Sequence, residues 1–352
     1  MPVIRAFALA AVVVATILVA TALLLALGGY DVRVAITALW TGSVGSWYAL
    51  TSATLVRAIP LMLSGCAVAV AFRAGVFNIG AEGQLLAGAA AATAIGLALP
   101  SLGIAALLLA LVAGAAGGTV WAAIAAALRA RFGVLEVIST IMLNFVALYA
   151  VSYLVRGPLQ EPTHAYPQTA PVADAVRLGH IPGAGRLHVG ILIALAAVVG
   201  AGWVMRHTAA GFRLIVVGES PSAAASAGLI DVERVTARAF MLSGAMAGLA
   251  GAVEVLGVTY ALYENISPGY GYTAIAVALL AGLDPWRVVP SAMLFAGLEA
   301  GAGAMQRDAG VPSTLVSVVE ALLILAVVGA QSVRKRQAAP ASATLPLPRS
   351  DA

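Results

Sequence analysis

Apolar runs long enough to cross a lipid bilayer recur along almost the whole chain, and this recurrence restricts the fold more than any other feature. A helix of about 20 residues spans the hydrocarbon core, where no water is available to satisfy backbone N–H and C=O groups. A chain that enters that core repeatedly must satisfy those groups within helices. Of the 352 residues, 62% are hydrophobic and only 10% charged, whereas a soluble domain carries roughly 25% charge. The expected fold class is an all-α polytopic membrane protein.

In chain order, Ile4 to Leu27 reads as a retained first span with a cytoplasmic N-terminus, its apolar run being longer than a signal-peptide core. Asp31 to Arg57, with Trp40, Trp47 and Tyr48, reads as an interfacial segment outside the membrane. Full spans are expected over Ile59 to Phe72, Ile79 to Leu99, Leu102 to Leu128 and Gly133 to Val155. Others are expected over Val189 to Met205, Phe240 to Leu262, Val288 to Met305 and Ser313 to Val328. Thr273 to Leu283 is an apolar run of only about 11 residues after Pro268, Gly269 and Gly271, which fits a broken or shortened helix. The count is about ten crossings with both termini cytoplasmic. Under it Arg73, Arg129, Arg131, Arg206, Arg213, Arg234, Arg238 and Arg287 lie inside, as the positive-inside rule asks, and Arg33, Arg57, Arg156, Arg177, Arg186 and Arg307 outside. Residues 156–187, broken by five prolines between Pro158 and Pro182, form the longest outer loop.

One stretch sets polar groups at membrane depth or its edge. Phe72 to Gln84, FRAGVFNIGAEGQ, places Arg73, Asn78, Glu82 and Gln84 among three glycines between two apolar runs. Burying Glu82 or Arg73 against lipid would cost roughly 2.5–3.5 kcal/mol, so the stretch should face protein, a water-filled cavity or the interface. It fits a broken helix lining a solute route, or a turn with glycines for close packing. Asn78 suits hydrogen bonding to a solute, whereas Glu82 fits either that route or an architectural part, pairing with Arg73 or capping a broken helix end. In GVLEVISTIMLNF, Glu136, Ser139, Thr140 and Asn144 share one helical face. That face can hold helices together or line a route for a polar solute.

Residues 206–238 are the longest polar segment on the cytoplasmic side. Ser220 before Pro221 is a helix start, cap then first position, so PSAAASAGL should be a short helix ending near Gly228, with a second start at Asp231. Its small residues, Ala224 among them, would form an exposed docking knob for a partner.

The formal net charge of +4 lies beside the apolar runs, with no basic groove of interleaved aromatics, so nucleic acid is not an expected partner. Cys66 is the single cysteine, and His164, His180, His188 and His207 form no HExxH pair. These histidines read as solvated loop or span-end residues, and no metal or other cofactor is expected. No phosphate loop or nucleophile elbow occurs, so the chain should not itself be an enzyme.

The phrases FRAGVFNIGAEGQ, GVLEVISTIMLNF, GESPSAAASAGL and GYGYTAIAVALLAG together resemble the membrane permease subunit of bacterial ATP-binding-cassette (ABC) importers for nucleosides and simple sugars, related to the branched-chain amino acid and ribose permeases. The resemblance covers roughly Leu61 to Gly329. It implies a multi-pass inner-membrane permease that moves a nucleoside or simple sugar inward by alternating access; the permease domain is expected over residues 1–333, and the composition of 334–352, basic then Pro/Ala-rich, reads as a disordered tail. Its implied partners are cytoplasmic ATP-binding subunits, a second related or identical permease, and an extracytoplasmic solute-binding protein. ATPase coupling falls on Glu219, Ser220, Pro221, Ala223, Ala224, Ala225 and Gly228, and the candidate pathway residues are Asn78, Glu82, Gln84, Glu136, Ser139, Thr140 and Asn144. The alternative reading is an ion-coupled secondary transporter using Glu82, Glu136 or Glu254. A membrane-embedded enzyme is disfavoured by the lack of an acid, base and nucleophile set.

Overall fold

The computed structural model describes residues 21–312 except 227 and 229, together with residue 19 and scattered positions between 314 and 322. Most of the predicted first span, the predicted span from Ser313 and the tail from Arg334 lie outside the described residues. Helices account for the regular structure, and among the described residues β pairing is limited to the isolated bridges Gln168–Tyr263 and His180–His188.

The helices are α1 (Val32–Ser43), α2 (Trp47–Arg73), α3 (Ala81–Ala98), α4 (Ile104–Phe132), α5 (Glu136–Arg156) and α6 (Gly190–His207). After them come α7 (Ala209–Glu219), α8 (Pro221–Ser226), α9 (Val232–Thr259), α10 (Tyr270–Leu280) and α11 (Pro285–Ala309). Six are long and apolar enough to cross a membrane: α2, α4, α5, α6, α9 and α11. The short helix expected after Pro268 is α10, of 11 residues. The interfacial reading of Asp31 to Arg57 needs correction, because the helix begins at Trp47 and runs unbroken through Arg57 to Arg73. Its first turns include a π turn over Leu50–Thr54, and a matching π turn over Val255–Thr259 ends α9.

Local chemistry explains the ends. Asp31, Asp231 and Asp284 each accept a hydrogen bond from a backbone N–H of the helix that follows, and Pro285 occupies the first position of α11. Helix α4 stops at Gly133 in the left-handed region (φ 65°), with Arg129 and Arg131 in the last turn where the helix dipole favours cations.

Small residues build the centre. Helices α3, α4 and α9 cross backbone to backbone at glycines. A Cβ added to Gly88 would stand 2.2 Å from the Gly248 carbonyl oxygen, one on Gly118 2.1 Å from that of Gly244, and one on Gly251 2.0 Å from that of Leu85. Lipid supplies no hydrophobic drive between helices, so such close contact is what holds them. Around it pack Leu61, Leu63, Leu85, Leu256 and Phe295, all fully buried.

At the end opposite α7 and α8, residues 157–189 are stitched to the last turn of α9 and the connector between α9 and α10. Thr169 N–H donates to the Leu262 carbonyl (2.8 Å), Val172 N–H to Tyr260 (2.8 Å) and Leu178 N–H to Leu256 (2.8 Å). Arg156 grips Glu264 with two bonds of 2.7 and 2.8 Å, and Ser152 donates to the same carboxylate. The Arg156 guanidinium, then the Ser152 hydroxyl, hold the Glu264 carboxyl down at about 2. His188 departs from the solvated reading of the histidines. It is fully buried, Nδ1 accepts the Gly190 N–H at 3.2 Å, and burial pushes its imidazole down to about 4, so it is neutral.

The glycine crossings generate a direct prediction. Gly88→Ala should lower the melting temperature of the detergent-purified protein, with overpacking of this kind costing about 1–3 kcal/mol. Gly200→Ala, where an added Cβ meets nothing within 4 Å, should leave it unchanged. Equal melting temperatures for the two variants would contradict the packing described.

Candidate functional site

The polar stretch after α2 is where the interrupted parts of the fold meet. Helix α2 ends at Arg73, Gly75 takes φ 73°, and the chain returns as an irregular segment to the start of α3. That start has a problem of its own making: Gly80 occupies the cap position and has no side chain to receive the free N–H groups. Two asparagines supply the acceptors. Asn78 Oδ1 accepts the Gly80 N–H at 2.9 Å, and Asn144, reaching from α5, accepts the Gly83 N–H at 2.8 Å while donating to the Ile79 carbonyl at 2.9 Å.

Asn78 also pairs amide to amide with Gln84. Asn78 Nδ2 donates to Gln84 Oε1 and Gln84 Nε2 donates to Asn78 Oδ1, both at 3.0 Å. The second Nδ2 hydrogen goes to Ser243 Oγ on α9, at 2.9 Å. Both Asn78 donors and two acceptor sites are thus engaged, and Asn78 and Gln84 are buried.

Glu82 takes a different part. Its Oε2 accepts the Gly271 N–H at 2.7 Å, while Ser267 Oγ accepts the Gly269 and Tyr270 N–H groups just before it, at 3.1 and 3.0 Å. Gly271 is the second residue of α10, and a Cβ there would stand 2.2 Å from the Glu82 backbone nitrogen. Helices α3 and α10 therefore begin against each other, with one carboxylate between two N-terminal ends whose dipoles both favour negative charge. Of the two architectural roles open to Glu82, capping the broken helix end is the one the geometry shows.

The polar face of α5 divides. Asn144 and Thr140 lie beside the start of α3, Thr140 Cβ being 3.0 Å from where a Gly80 Cβ would stand. Thr140 and Ser139 hydroxyls donate back to the Glu136 carbonyl, at 2.6 and 3.2 Å. Glu136 itself is a turn away, paired with Arg129 at 3.1 Å across the α4–α5 corner. Glu254, buried before the π turn of α9, has Arg57, Glu299 and Arg186 as its charged neighbours.

The coupling candidates also have distinct places. Ser220 caps α8, its Oγ accepting the Ala223 N–H at 3.3 Å. Glu219, Pro221, Ala223 and Ala225 are exposed, and Gly228 turns at φ 69°. Ala224 corrects the expected surface: it is fully buried and seats α8 on its own chain.

Ser243 and Ser267 complete the junction with Gly271, which the sequence marks only as preceding a broken or shortened helix. The S-P-G run before α10 is the available signal for Ser267. Ser243 lies 165 residues from Asn78 and nothing local announces the pair.

A double-mutant cycle tests the amide pair. Asn78→Leu and Gln84→Leu should each destabilise by about 1–3 kcal/mol, because each leaves a buried amide unsatisfied, and the double variant should cost clearly less than the sum. Additive losses in thermal melts would show that the two amides do not act as a pair.

Residues 50–328 match the family described as branched-chain amino acid transport system / permease component. A guanosine ABC transporter permease of Bacillus subtilis is 40% identical over 321 residues, covering 90% of this chain and 91% of that protein. A glucose ABC transporter permease of Haloferax volcanii is 41% identical over 292 residues, 80% of this chain and 76% of its own length. A nucleoside ABC transporter permease of Lactococcus lactis is 32% identical over 275 residues, 75% of each chain. No solved structure matches. The matched region runs from the first turns of α2 through the glycine crossings, the helix junction and α8 to beyond α11, and the chain belongs to this permease family of ABC transporters.

Proposed function

We propose that this permease carries a nucleoside or simple sugar inward by alternating access, with ATP hydrolysed in separate cytoplasmic subunits and solute delivered by an extracytoplasmic binding protein. The names of the relatives, for guanosine, nucleoside and glucose, support that solute class. A second permease subunit, related or identical, completes the route. The arginine-rich end, with Arg129, Arg206, Arg213 and Arg287, is the cytoplasmic end, which supports about ten crossings with both termini inside. Residues 1–333 act as one permease domain, with 206–238 as its coupling loop.

Helix α8 is the observation that carries this reading. It is a capped single turn and a half that stands between α7 and α9, rooted by buried Ala224 and presenting Ala223 and Ala225 outward, a shape suited to a socket on an ATPase. Asn78, Gln84, Thr140 and Asn144 border the route by fixing its wall. Glu82 holds the two interrupted helices together at it. An ion-coupled mechanism has less support at Glu82 and Glu136, which are engaged by Gly271 and Arg129, and would fall to Glu254, buried in α9.

Ala223→Arg and Ala225→Arg should cut recovery of the ATP-binding subunits with the affinity-purified permease and abolish uptake of labelled guanosine or glucose, leaving the permease's own melting temperature unchanged. Full ATPase recovery and full uptake in both variants would remove α8 from energy coupling. Uptake of one labelled solute, competed by an excess of the other, separates the nucleoside from the sugar.

A further inference from the structure

We infer that Gly218 is the rigid joint through which displacement of α8 reaches the helix junction at Asn78 and Glu82; this rests on the ABC permease reading above.

Helix α7 is held at both ends. At its start, Thr208 Oγ accepts the Gly211 N–H at 3.1 Å and donates to the Val204 carbonyl at 2.7 Å. A Cβ on Gly211 would stand 2.2 Å from that same carbonyl oxygen. Along its length Leu214 belongs to a buried cluster with Val70, Ala71, Ala74, Val76 and Phe240. At its far end Gly218 meets the backbone after α2. An added Cβ would lie 2.0 Å from the Arg73 carbonyl oxygen, 2.9 Å from its carbon and 3.0 Å from the carbonyl carbon of Ala74. The contact is reciprocal: a Cβ on Gly75 would lie 3.3 Å from Gly218 Cα.

Two glycines thus press main chain on main chain. Side chains can absorb a small displacement by changing rotamer, but none stands between these segments, so a push on one is passed to the other. Pro221, the first residue of α8, follows Gly218 by three positions, and Asn78 follows Gly75 by three. From Asn78 the path continues to Gln84 on α3 and Ser243 on α9. Through Glu82 it continues to Gly271 on α10. The contact gives α8 a short, stiff link to three helices of the interior.

The test uses the complete transporter in proteoliposomes, with its ATPase and binding subunits. Gly218→Ala and Gly218→Val should retain ATPase recovery and basal hydrolysis while solute taken up per ATP falls, in the valine variant by about tenfold or more. A second measurement leaves the joint intact. Labels at Ser222→Cys and Phe77→Cys, both exposed positions, should keep their separation between nucleotide-free and ATP-bound states, while a Ser222→Cys to Tyr153→Cys pair changes. Normal uptake per ATP in Gly218→Val, or a 222–77 separation that changes as much as the 222–153 one, overturns the joint. Failure of the ABC reading itself would look different, with ATP-binding subunits that never bind even the wild-type permease.

Discussion

A single carboxylate lies where two interrupted helices start against each other, and the interior is arranged around that contact. Glu82 belongs to the first turn of α3 and accepts the Gly271 N–H of α10. Helix starts expose N–H groups and a partial positive charge, and two of them brought together without an acceptor would be unfavourable inside a membrane protein. A charge-assisted hydrogen bond of this kind is worth about 1.5–3 kcal/mol. Asn78 and Asn144 then accept the Gly80 and Gly83 N–H groups at the start of α3, and Asn78 pairs with Gln84, so removing either asparagine orphans a buried partner.

The glycine crossings and the polar junction depend on each other. Gly88 and Gly251 let α3 and α9 touch main chain to main chain, and this proximity brings Ser243 to Asn78. Conversely, the junction anchors the start of α3, so that its glycines meet those of α9 in one register. At the opposite end, the clamp of Arg156 on Glu264 and the bonds from Thr169 and Val172 tie the long loop to the connector that leads into α10, and the bond from Leu178 ties it to the end of α9. Both ends of the bundle thus bear on the same short helix.

What the sequence disclosed follows from cost. Polar residues at membrane depth are expensive, so FRAGVFNIGAEGQ and the polar face of α5 stood out, as did the short apolar run of α10 and the Ser220–Pro221 and Asp231 helix starts. The hidden features concern partners and burial. Trp47, Tyr48 and Arg57 carry the chemistry of an interface, yet Trp47, Tyr48 and Arg57 all lie within α2. Alanine fits surface and core equally, so Ala224 could not be distinguished from its exposed neighbours. His188 loses solvent because its ring packs against Gly257 of α9, far from it in sequence. Asn78 and Ser243 are joined through a helix crossing that no local pattern encodes.

The contact between the two helix starts is tested most directly by amide hydrogen exchange across residues 268–272. In the intact permease the Gly271 amide should be protected. Glu82→Ala, which removes the acceptor while leaving both helices in sequence, should speed exchange there by about tenfold or more, with the exchange of α6 unchanged. Exchange at Gly271 as fast as in an open loop in the wild type, or unaffected by Glu82→Ala, would contradict the account.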